Sequence, residues 1–93
     1  MYDLEALKQE IHRNEHNIQV LTEAVTKEIA IKQALGQKIT EIRSSGDDPQ
    51  DYELHMTSIQ STIDNYNNEL DQIYAYNIKV RRMIAELEAI HGE

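Results

Sequence analysis

Apolar side chains recur along the first half of the chain at alternating intervals of three and four. They are Leu4, Leu7, Ile11, Ile18, Leu21, Val25, Leu35, Ile39 and Ile42, and Asn14, Glu28 and Lys32 fill the positions where the rhythm skips. The second half repeats the pattern with Tyr52, Met56, Ile59, Ile63, Tyr66, Leu70, Ile73, Val80, Ile84 and Leu87, and places Asn77 and His91 in the same rows. A mean spacing of about 3.5 residues sustained for about six heptads marks the seam of a coiled coil and predicts one long helix on each side.

The two helical stretches are separated by the break RSSGDDPQD. Gly46 suits the left-handed residue that closes a helix, because it carries no Cβ to clash there. Asp48 suits an N-cap, and Pro49 the first helical position, where its missing N–H costs nothing. Asp51 stands in capping-box spacing from Asp48 and adds negative charge at a helix N-terminus. These signals predict a helix over 3–44, a turn over 45–48 and a helix over 49–91, all within one domain spanning 1–93.

A turn this short forces the helices antiparallel. The registers then interlock: Ile42 meets Tyr52, Ile39 meets Met56, Leu35 meets Ile59, Val25 meets Leu70, Leu21 meets Ile73, Ile11 meets Ile84 and Leu7 meets Leu87. The two numbers sum to 94 or 95 in every pair. The expected fold class is therefore all-α, an antiparallel two-helix coiled-coil hairpin. Asn14 and Asn77 fall in adjacent layers of the seam within reach of one another, where a polar pair sets register at some cost in stability. Glu28 and Lys32 interrupt the seam one turn apart and are expected to pair along the helix surface.

Heptad positions also describe the flanks. In an antiparallel pair the g positions of both helices lie along one side. They hold Ala24 and Ile31 on the first helix and Tyr76, Met83 and Ile90 on the second, an apolar strip. The e positions form the opposite flank, which is mostly polar but carries Ile29, Gly36 and Tyr74. Chains of 93 residues have little interior, and self-association is a common remedy. The expected interface residues are Ala24, Ile29, Ile31, Tyr74, Tyr76, Met83 and Ile90, and the expected assembly is a homodimer forming a four-helix bundle.

Charge and composition narrow the function. The formal charge is −8, with 17 acidic against 9 basic residues, which repels phosphate backbones and anionic lipid heads. Tyr74, Tyr76, Lys79, Arg81 and Arg82 mix rings and cations, but they spread around the helix rather than share a face. No direct nucleic-acid contact and no membrane contact are expected. The absence of Cys excludes thiolate chemistry and disulfides. With no apolar run of membrane length and no apolar leader, the expected location is the cytoplasm.

The most pointed motif is His12-Arg13-Asn14-Glu15-His16, which fits H-x-x-E-H, a zinc and general-base signature of one metalloprotease class. With Ile11 and Ile18 in the seam, His12 takes a b position and His16 an f position, both facing outward. Two imidazoles one turn apart can touch one ion, but a catalytic centre also needs a further ligand and a wall that excludes water. His12 and His16 are therefore at most an adventitious metal site. No cofactor and no catalytic residues are expected. Asp47, Asp48, Asp51 and Glu53 gather negative charge at the tip of the hairpin.

These features point to a non-enzymatic coiled-coil module that acts as a homodimer in assembly, adaptation or regulation through contact with another protein. The alternative is a small acidic inhibitor of phage or mobile-element type, its carboxylates occupying the phosphate sites of a basic nucleic-acid-binding protein. The outline is also similar to that of the helical hairpins exported by bacterial type VII secretion. The turn SSGDDP lacks their Trp-x-Gly, however, and neither Tyr74 nor Tyr76 is followed four residues later by an acid.

Overall fold

The computed structural model describes residues 3–91 and contains two long helices, α1 (Leu4–Ser44) and α2 (Gln50–His91). They lie against each other in a rod of 74 × 14 × 14 Å. The contacts across the seam, Asn14–Asn77, Lys32–Gln60 and Gly36–Met56, have residue numbers that sum to 91 or 92, about three below the expected register. Asp3 caps α1 by accepting a hydrogen bond from the Glu5 N–H at 3.1 Å.

The turn is built from the devices its residues suggest. Gly46 has φ +81°, the left-handed region. Around it the Gly46 N–H donates to the Arg43 carbonyl at 3.0 Å and the Asp47 N–H donates to the Ile42 carbonyl at 3.1 Å. That pair of bonds is a Schellman closure, which satisfies carbonyls the helix end would leave bare. The next helix opens with the Asp48 carboxylate accepting from the Gln50 N–H at 3.0 Å. Asp51 sits in the first turn of α2, where its charge favours the positive helix end.

Two glycines invite opposite outcomes. A Cβ on Gly46 would meet nothing within 4 Å, so Gly46→Ala costs only the left-handed backbone, about 1 kcal/mol. A Cβ on the helical Gly36 would rest 3.4 Å from the flexible Met56 methyl, which is ordinary contact. Gly36→Ala should therefore gain about 0.5–1 kcal/mol from helix propensity and a less floppy unfolded chain. Thermal melts followed by circular dichroism should move by about 5 °C in opposite directions. A drop for Gly36→Ala would mean that the helices cannot part by a few tenths of an ångström at that point.

The seam residues are those that lose solvent, but only a few lose nearly all of it. Leu7, Ile39, Ile59, Ile63 and Val80 are buried, as are Pro49 at the tip and Asn77. Two helices cover a side chain from one direction, so the other seam positions stay half-buried. Tyr52 departs from its expected seam role at 39 % exposed, and Pro49 takes the covered place at the tip instead.

Candidate functional site

The e flank is stitched by charge. Glu15 pairs with Arg81 at 2.7 Å, Lys8 with Glu88 at 3.8 Å, and Arg43 with Glu53. In each pair the residue numbers sum to 96, whereas the contacts across the seam itself, Asn14–Asn77 and Gly36–Met56, sum to 91 and 92 and mark the levels at which α1 and α2 face each other. All six side chains are solvated, so each pair contributes little stability, about 0–1 kcal/mol. Their effect is to commit this flank to water near the open end and near the tip.

Between those stitches lies a central stretch of a different kind. Asn14 donates its amide to the Asn77 side-chain oxygen at 2.7 Å, bridging the two layers from within the seam. Beyond it toward the tip, no α1 residue from 15 to 27 and no α2 residue from 64 to 76 is buried. Next toward the tip Glu28 and Lys32 occupy the seam on α1, while α2 supplies the buried Ile59 and Ile63. The expected Glu28–Lys32 ion pair does not form among the described residues. The Lys32 ammonium donates across the seam to the Gln60 oxygen, and Gln60 donates onward to Asp64 at 2.9 Å. A long side chain opposite an amide acceptor gains more by crossing the seam than by lying along its own helix.

Most of the large apolar groups left in water belong to this same central stretch. Val20, Ile29, Ile31, Tyr74, Tyr76 and Ile78 are all exposed, whereas elsewhere among the described residues only Tyr52 and Leu54 near the tip and Ile90 at the open end are. Ile31 and Tyr76 lie on the g flank, joined there by half-buried Ala24 and Met83 and by exposed Ile90. Ile29 and Tyr74 lie on the e flank, so the seven residues expected at an interface do not form one patch. Val20 and Ile78 were not among them. Each sits one step outside a flank, Val20 beside the g row and Ile78 beside the e row, and a wider helical stripe would have included both.

The g flank also carries a furrow near the open end. Leu7 and Val80 form its floor, Tyr76 and Met83 its walls, and Glu10 and Lys79 its rim. The Tyr76 hydroxyl donates to the Glu10 carboxylate, which holds the ring across the seam.

The His12 and His16 side chains are exposed, and the groove beside them is lined by α1 alone, with His12, Arg13, Glu15, His16, Asn17 and Gln19. Among the described residues no group of three or more His, Asp or Glu side chains comes together to hold a metal ion. Glu15, the motif's would-be base, is engaged with Arg81. At the tip Asp48 serves as the cap and Glu53 pairs with Arg43, while the side chains of Asp47 and Asp51 face water. No helix among the described residues is long and apolar enough to cross a membrane. No protein-family model, curated protein or solved structure matches the chain.

Proposed function

We propose that this chain is a non-enzymatic coiled-coil interaction module of the cytoplasm that works as a homodimer, two hairpins closing into a four-helix bundle that engages a further protein. The observation that carries this reading is the middle of the rod, where α1 buries no residue from 8 to 38 and six large apolar side chains on the two helices are exposed. A second layer of helices supplies what two helices cannot, a covering from the other side. Surface area supports it. The chain exposes 7024 Å². A compact monomer of 10.8 kDa would expose about 5,500 Å². The excess of about 1,500 Å² is larger than the roughly 800 Å² that a standard interface removes from one partner.

The test is molar mass by light scattering at micromolar concentration, in low and in molar salt. A mass of two chains that persists in molar salt is expected, because apolar burial is not screened. Ile31→Glu should shift the mass to one chain while the circular dichroism stays helical, since that side chain is 44 % exposed in the hairpin. The double variant His12→Ala, His16→Ala should dimerise as the parent does. A single-chain mass for the parent, with capture of a basic protein only at low salt, would favour the acidic-inhibitor reading instead.

A further inference from the structure

His12 and His16 stand on α1 one helical turn apart, and both are exposed. Side chains four residues apart on a helix have Cβ atoms about 5–6 Å apart and lean toward the helix N-terminus, so the His16 ring lies over the turn that carries His12. The helix keeps that spacing without a break from Leu4 to Ser44. Both imidazoles border one open groove, together with Arg13, Glu15, Asn17 and Gln19. Neither imidazole has a hydrogen-bond or ion-pair partner among the described residues, so their nitrogens are not committed elsewhere.

We infer that His12 and His16 chelate one divalent transition-metal ion of the nickel, copper and zinc class, each giving one imidazole nitrogen at about 2.0–2.1 Å and water filling the other positions. Imidazole suits these metals, whereas calcium and magnesium take oxygen ligands. The chain has no cysteine to compete for the ion. Its other two histidines, His55 and His91, lie on α2 near opposite ends of the rod, and neither has a histidine one turn away. Charge around the pair is mixed. Glu15 favours a cation but is held by Arg81 at 2.7 Å, Lys8 is held by Glu88 at 3.8 Å, and Arg13 stands in the same groove. The two nitrogens, rather than the field of the surface, therefore hold the ion. Two protein ligands suffice for reversible binding and fall short of the three that a catalytic zinc centre uses. An ion bound to folded α1 pins the turn from 12 to 16, beside the span from 15 to 27 in which α1 buries nothing, and stabilises the helix by mass action.

Nickel chloride is the probe, titrated at neutral pH and followed by calorimetry. One ion per chain is expected. At about tenfold over the dissociation constant the melting temperature should rise by about 5–10 °C, because the ion binds the folded helix. His12→Ala and His16→Ala should each weaken binding about a hundredfold and remove the rise, since the second imidazole acts at high effective concentration only when the first is present. Both positions are exposed, so the helicity of each variant should match the parent by circular dichroism. The double variant His55→Ala, His91→Ala should bind nickel as the parent does. Binding that survives substitution of His12 or of His16, or that falls in the His55, His91 variant, would overturn the inference. So would one ion per two chains, which would mean that the ion bridges copies instead of closing one turn of α1. No binding up to millimolar nickel would overturn it as well.

Discussion

Val80→Asp should abolish the cooperative thermal transition of this protein at neutral pH, while Leu54→Asp should leave it within about 0.5 kcal/mol of the parent. The two substitutions are the same in kind, an aliphatic side chain exchanged for a carboxylate on α2. They differ in place, since Val80 is 1 % exposed and Leu54 is 62 % exposed. At Val80 the change forfeits about 1.5–3 kcal/mol of apolar burial. It also leaves a charge in the seam with no cation against it, which costs several kcal/mol more. A typical small domain has about 5–15 kcal/mol in total, and one with so few buried residues sits at the lower end. Circular dichroism melts on both variants make the comparison. If Val80→Asp stays helical and melts within a few degrees of the parent, water already reaches the seam near Asn77 and the hairpin is held together elsewhere.

The parts of the fold legible in the sequence are those where one residue type has one physical use. Gly46 was legible because a left-handed residue must close the helix, and Asp48 because the second helix needs a cap. The seam was legible because apolar residues fill its rows while polar ones fill most of the others. The depth of the seam was not. Tyr52 and Ile39 obey the same spacing, yet one is exposed and the other buried, because coverage depends on what stands across the seam and at the tip. Lys32 shows the same limit: its reach to Gln60 is a matter of side-chain length across two helices. The flanks could be written from heptad positions, but that three ion pairs would gather on the e row and none on the g row among the described residues follows from the pairing level. Function was least legible, since an apolar strip states that something covers it and leaves its identity to shape and symmetry.

Asn77→Leu should cost about 1–3 kcal/mol, whereas Asn14→Leu with Asn77→Leu should recover that loss or exceed the parent in stability, at the expense of a single defined assembly. Asn77 is 5 % exposed, its oxygen accepts the Asn14 amide at 2.7 Å, and no buried side-chain polar atom among the described residues lacks a partner. Removing one member leaves the other amide poorly hydrated beside leucine, which is the expensive half of a hydrogen bond. Removing both trades two desolvated amides for apolar contact, which is often neutral or favourable. What the pair supplies is discrimination. An amide in this seam is satisfied opposite another amide and costs free energy opposite an aliphatic side chain, so Asn14 favours α2 at one register over α1 of another copy. Two leucines accept either neighbour. Melting temperature and molar mass should therefore part company: the double variant melts higher than Asn77→Leu, yet elutes as a mixture of masses. A double variant less stable than both single variants would show that the bond itself stabilises the fold, and one that remains a single sharp species would show that the register is set by the turn and the apolar layers without help from Asn14 and Asn77.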